Sequence, residues 1–260
     1  MNTPPEPITE LPSLWYQNHP VRTHFFNALS TMFPQGERFF VWSVRNYEHL
    51  AIKEPLKSNI QEFYTQEKNH AAIHKSFNRS LGKLGYDIDR LEKRLEAKIT
   101  KRTLMDSHIR CLAATVVMEH ISAMVSEAIL DESWMGGIKD PGIKKMWMWH
   151  AMEEVNHRSV AADVFELAEG SYWERVIALM GTVIIFYGEL ASRMAHFLKK
   201  DGLLFRPKTW GQILILFLEA GGIFHLTVWK QLSLLSPKFH PDLSSNKHHK
   251  KLDEVDLKVS

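Results

Sequence analysis

At 260 residues the chain is long enough for one large domain or for a domain with an extension. Its 32 Lys and Arg against 30 Asp and Glu leave a net charge of +2, which excludes the strong basic field of a nucleic-acid binder. The single cysteine, Cys111, excludes an intrachain disulfide framework, and the opening residues, with Glu6, Glu10 and no apolar run, carry no secretory signal, so cytoplasmic residence is the expectation.

Residues 1–20 are rich in proline and polar side chains and read as an irregular lead-in. From Val21 to Ser30 the pattern is helical; Pro34-Gln35-Gly36 interrupts it, and a helix restarts with Glu37 in its first turn. A second helix follows Pro55 and runs to about Leu81, with Gly82 and Gly85 ending it. Residues 87–99 read as a short amphipathic helix within a long crossover, and two further long helices follow, roughly 103–131 and 141–169. No alternating β pattern of useful length is present. The expected class is therefore all-α: a ferritin-like four-helix bundle over residues 21–170, whose topology needs a long connection between its second and third helices.

Two more hydrophobic stretches lie at 173–198 and 209–235, before a polar tail over 238–260. A membrane-spanning helix wants about 20 residues nearly free of charge. Glu189 and Arg193 in the first stretch, and Glu219 and His225 in the second, predict instead an extra C-terminal helical hairpin packed on the bundle over 171–237. Peripheral membrane contact, a homodimer interface, or an apolar entrance for a lipophilic substrate are the other readings of these stretches.

Four segments carry metal-ligand chemistry: Glu37, then Glu67-Lys-Asn-His70, then Glu119, then Glu154-Val-Asn-His157. A lone Glu followed by Glu-x-x-His, stated twice in order, is the pattern by which four-helix bundles hold a di-iron or di-manganese centre. The midpoint of Glu37 and Glu67 falls at Ile52 and that of Glu119 and Glu154 on Gly136-Gly137, so each carboxylate pair meets across its own hairpin at one level. At 100° per residue, Glu67, His70 and His74 lie within about 60° of one another on a stripe with Phe63 and Phe77, and His150, Glu154 and His157 lie within about 60° on a stripe with Trp147 and Phe165. Glu119 shares the face of Leu112 and Val116, and Glu37 that of Phe33 and Val44. Four carboxylates thus point with the core-facing apolar residues, where burial without a counter-charge costs several kcal/mol each, roughly, and no Lys or Arg lies on those stripes. Two divalent ions would offset the charge, with histidine nitrogens completing the shell. His74, one turn beyond His70, is placed to ligate or to hold a ligand by a hydrogen bond. His120 and Glu153 fall about 100° from Glu119 and Glu154 and are expected to leave the site, Glu153 to the surface, and Glu48 and Glu127 stand two or three turns away.

The strings Phe33-Pro-Gln-Gly-Glu37-Arg-Phe-Phe40, Gln-Glu67-Lys-Asn-His70, Met118-Glu-His120 and Trp149-His150-Ala-Met-Glu-Glu154-Val-Asn-His157, with Phe239-His240-Pro241, resemble the bacterial family named predicted metal-dependent hydrolases, assigned to the ferritin-like superfamily. The resemblance extends over roughly 20–240. The ligand pattern alone is similar to that of p-aminobenzoate N-oxygenase type di-iron proteins, which adds the third histidine of His-x-x-x-Glu-x-x-His. Carried over, that resemblance implies Glu37, Glu67, His70, Glu119, His150, Glu154 and His157 as metal ligands.

The chemistry of the set points to two iron ions, with manganese or zinc as the alternative, and to activation of O2 for oxidation of a small or lipophilic organic substrate. The alternative function is hydrolysis at a dinuclear metal site, which the family name favours. Metal storage is the third class, disfavoured by the third histidine and the C-terminal stretches.

Overall fold

The computed structural model describes residues 3–218 and 230–241, and the side chains of Asn156 and His157 lie outside the described set. The described chain is all-helical, with one isolated β-bridge between Tyr16 and Ile138. Helix α1 (Pro20–Ser30) opens with proline in its first turn and the His19 ring accepting from the Arg22 backbone N–H, and almost all of it is buried. Thr31 and Met32 turn the chain into α2 (Phe33–Arg45). This start is earlier than the sequence suggested. Pro34 sits in the first turn, where its missing N–H costs no helical hydrogen bond, so Glu37 enters in the second turn.

Helix α3 (Leu56–Lys83) absorbs Gly82, and only Gly85, with φ at 89°, turns the chain. The crossover helix α4 (Ile88–Met105) is capped by the Asp87 side chain and runs 18 residues, well past the expected end at 99. Helix α5 (His108–Ile129) consequently starts later than expected, after Ser107. A short α6 (Glu132–Met135) precedes α7 (Pro141–His157), which is capped by Asp140 and started by proline. The expected single helix over 141–169 is two: α8 (Val160–Leu167) follows a break at Arg158-Ser159, where buried Arg158 donates to Glu127 of α5 at 2.9 Å. Helix α9 (Tyr172–Lys200) has a full capping box from Ser171 and Glu174, and α10 (Pro207–Leu218) follows it. The rest of the second hydrophobic stretch falls partly on residues 219–229, outside the described residues, as does the tail from 242.

Helix α2 lies on α3 and α5, α5 on α7 and α8, and α3 meets α7 and α8, so these elements share one interior. Helix α9 packs on α5 and α1, α10 packs on α1, and α4 closes the side between α2, α3 and α5. The first C-terminal stretch thus packs on the helices before it. Its charges face inward: Glu189 accepts from Arg94 at 2.8 Å, Lys98 at 2.5 Å and Arg193 at 3.2 Å. Arg193, fully buried, also donates to the Thr31 hydroxyl at 3.0 Å and the Leu91 carbonyl at 2.9 Å. The opposite face of α9 leaves Trp173, Ile177, Met180 and Ile184 exposed.

The lead-in is irregular but anchored. The Tyr16 hydroxyl donates to the Trp134 carbonyl at 2.7 Å, and the Tyr16 ring occupies the space where a Cβ on Gly137 would lie. Gly137→Ala is therefore expected to cost about 1–3 kcal/mol through overpacking, read as a lower urea midpoint; an unchanged midpoint would show that the ring yields freely.

Candidate metal centre

Helices α2, α3 and α7 bring Glu37, His70, His150 and Glu154 to one point, with a ligand atom of each within 4.8 Å of the others. All four are at most 2% exposed, as are Glu67 and Glu119. His150 Nε2 stands 3.1 Å from Glu154 Oε1, and His70 Nδ1 stands 3.5 Å from Glu154 Oε1 and 3.8 Å from Glu67 Oε1. Glu119 on α5 is near enough to raise the proton affinity of both Glu37 and Glu67 by its charge. The carboxylates of α2, α3, α5 and α7 are thus close enough to act on one another through their charges. The His157 side chain lies outside the described residues.

Burial above all drives the Glu37 and Glu67 carboxyls well above the usual carboxylate range; the surrounding carboxylates push the same way, while His70 pulls Glu37 back. Neither oxygen of Glu37 has a hydrogen-bond partner among the described residues. A buried acid in that condition is costly unless a cation neutralises it, and the donor set of carboxylate oxygens and imidazole nitrogens suits iron, manganese or zinc. The residues present fit a metal.

Two hydrogen-bonded arms orient the histidines. His70 presents Nδ1 to the carboxylates and Nε2 to Glu153 Oε2 at 2.9 Å, so Nε2 carries the proton that is donated to that carboxylate. His150 is held by a chain of four groups. Asn78 Nδ2 donates to the Ser30 carbonyl, which can only accept, so Asn78 Oδ1 is the acceptor of the Ser30 hydroxyl proton at 2.8 Å. Ser30 Oγ then accepts from His74 Nδ1 at 2.9 Å. His74 is neutral, since burial and the neighbouring His150 and His70 hold its pKa well below the usual value. Its Nε2 therefore accepts from His150 Nδ1–H at 2.8 Å, which leaves Nε2 as the His150 nitrogen that faces Glu154, 3.1 Å away. Both ring nitrogens of His74 are thus engaged, by Ser30 and by His150. His74→Phe keeps the ring space between Phe33 and Trp147 but breaks the chain. It should weaken metal binding about 10–100-fold with helicity unchanged, by calorimetric titration and circular dichroism; undiminished affinity would show that the chain does not orient His150.

Glu153 was expected at the surface and instead holds His70, with only a small part of its side chain accessible. Its helical angle directs it away from Glu154, but α3 approaches α7 from that side and receives it. His120 does leave the site: it is buried, with Nε2 3.4 Å from the Lys230 carbonyl and 3.2 Å from Ser233 Oγ. Glu48 and Glu127 likewise serve elsewhere, on Tyr64 and Gln61 and on Arg158 and Lys230.

For His70, burial pulls the pKa down, but the hydrogen bonds to Glu153 and Glu154 and the charge of Glu37 carry it to about 10, against a usual 6.5. Protons on His70, Glu37 and Glu67 are all bound more tightly in the folded chain than in the unfolded one. Their contribution to the stability of the apoprotein is thus complete below the usual values of 6.5 and 4.5 and is lost as pH rises, for His70 on passing about 10. A metal competes for the same atoms, so its affinity follows the opposite sign. The rise in melting temperature on adding manganese should be larger at about pH 8 than at about pH 5.5; equal shifts would place the metal elsewhere.

A cavity of about 600 Å³ reaches the cluster, with Glu37 and His150 in its wall and Phe33, Phe40, Met118 and Trp147 among its apolar lining. A family model described as predicted metal-dependent hydrolase matches residues 6–244. Comparisons with curated proteins and with solved structures give no match.

Proposed function

The chain belongs to the predicted metal-dependent hydrolase family, and we propose that its buried His/Glu cluster holds two divalent ions and hydrolyses a lipophilic substrate admitted through the apolar cavity. The observation that carries this reading is the convergence of Glu37, His70, His150 and Glu154 within 4.8 Å, at one wall of a cavity of about 600 Å³. Glu67 and Glu119, buried beside them, and His157, by its place in the Glu-x-x-His pattern, complete the ligand set. The order Glu, Glu-x-x-His, Glu, Glu-x-x-His on α2, α3, α5 and α7 supports a ferritin-like bundle.

When bound, such a pair supplies Lewis acidity and an acidified water or, as iron, reactivity toward O2. The remaining roles belong to this chain. Glu153 and the His74–Ser30–Asn78 chain fix the imidazoles. Phe33, Phe40 and Trp147 exclude bulk water from the inner wall. Glu37 and His150, which line the cavity, present the cluster to whatever enters it.

A second reading, oxidation by a di-iron centre, is supported by the dominance of carboxylates in the donor set and by the apolar cavity. One experiment separates them. The chain is loaded with manganese, zinc or, anaerobically, ferrous iron, and assayed on p-nitrophenyl decanoate before and after O2. Two ions per chain with oxygen-independent ester cleavage is the expected result. Two irons with an oxygen-dependent visible band and no ester cleavage would establish the second reading. Fewer than two ions of every metal would overturn the dinuclear centre.

A further inference from the structure

The cavity follows one face of α5: Arg110, Ala114, Met118, Ser122, Ser126 and Ile129 all line it, at near-helical intervals. At 1.5 Å per residue that face extends about 28 Å, an elongated slot rather than a round pocket. Helices α4 and α9 form the opposite walls.

Apart from Glu37 and His150 of the cluster, the charged lining residues lie on or just after α4, on α9 and at the start of α5. Lys98, Lys101, Arg102 and Arg110 line it there against two carboxylates, Asp106 and Glu189. Both carboxylates are already engaged: Glu189 by Arg94, Lys98 and Arg193, and Asp106 by Arg102 at 3.3 Å. Lys101 and Arg110 are exposed and carry no ion pair among the described residues. Beside them Met105 and Ile177 line the slot while standing 73% and 54% exposed, so the charged end is also where the apolar lining reaches the surface. Deeper in, the side chains are overwhelmingly apolar until Glu37 and His150.

We propose that the slot binds a single-chain amphiphile with an anionic head, taken up as a monomer, with the head on Lys101 and Arg110 and the hydrocarbon chain along α5 past the metal cluster. The volume matches pockets that bury most of a drug-sized ligand. Two exposed cations at an apolar mouth select a negative head by complementarity and would repel a positive one. The axial distance along α5 from Arg110 to Glu119 is about 13 Å, so the bond that reacts lies in the body of the chain, away from its charge. This deepens the function proposed above and rests on the cluster being the reacting centre.

Equilibrium dialysis with three probes, dodecanoate, dodecan-1-ol and dodecyltrimethylammonium, tests it on the full chain, with metal content measured on the same samples. Dodecanoate should bind at least tenfold tighter than the cationic probe, and K101A/R110A should abolish that preference while leaving dodecan-1-ol unchanged. Gly181 supplies an independent variant. It lines the slot, and a Cβ built on it meets nothing within 4 Å, so Gly181→Phe should project its ring into the slot and weaken all three probes at least tenfold. Equal binding of the three probes, or indifference to K101A/R110A, overturns the head assignment; indifference to Gly181→Phe overturns the slot. None of these three residues belongs to the cluster. Selective dodecanoate binding by a chain that takes up no metal would refute the proposed function and leave the ligand class standing.

Discussion

Glu37→Leu should abolish tight metal uptake and at the same time make the apoprotein more stable. Loss of an outer hydrogen-bond partner alone typically weakens a metal site about 10–100-fold, so loss of a ligand should exceed about 100-fold. The opposite effect on stability comes from desolvation. Glu37 is 1% exposed, both its oxygens lack a partner among the described residues, and Glu119 and Glu154 repel its charge. Burying a polar group without a hydrogen-bond partner costs about 1–3 kcal/mol, which an apolar side chain in the same place avoids. Leucine would meet Phe33 and Phe40 on the cavity wall. Metal titration and urea unfolding in chelator should therefore move in opposite directions. A variant that loses both metal and stability would assign Glu37 a structural role.

The second large effect concerns the clamp between α4 and α9. Glu189→Ala leaves Arg193 buried at 0% exposure without its carboxylate and should cost about 3–5 kcal/mol in urea unfolding. The double replacement Glu189→Leu with Arg193→Met should recover most of that loss, because it removes the stranded charge together with its partner. A full loss in the double variant as well would mean that the hydrogen bonds from Arg193 to Thr31 and Leu91 are the larger contribution.

What could be read from residues alone was what depends on the helical repeat. Glu67 and His70, or His150 and Glu154, share a face because of their spacing, and that face is apolar because Phe63 or Trp147 lies on it. Burial of both pairs follows from that periodicity. Relations between helices were less accessible. Glu153 was misplaced because one helix's angles do not reveal which neighbour lies alongside. The break at Arg158-Ser159 carries no proline or glycine to announce it, and the attraction of Arg158 to Glu127 depends on a partner 31 residues away. Helix boundaries near Pro34 and Gly82 shifted because both residues are tolerated in the first or last turn of a helix that tertiary packing extends. Glu189 and Arg193 were visible as charges unsuited to a membrane interior; that they pair with each other and that α4 supplies two more cations was not read from the sequence.

Helix α4 buries Ile88, Leu91 and Leu95, and none of its residues from 96 to 105 is buried. Its second half is held to the rest of the chain mainly by long polar side chains, Lys98 on Glu189 and Arg102 on Thr182, with Ile99 adding a partly buried apolar contact. Amide protons there should exchange with deuterated solvent well before those of α5, which it faces across the cavity. Raised salt, which screens charge pairs reaching solvent but leaves apolar burial intact, should speed exchange in residues 96–105 and not in α5. The wall nearest the mouth is thus tuned by ionic strength, while the wall carrying Glu119 is not.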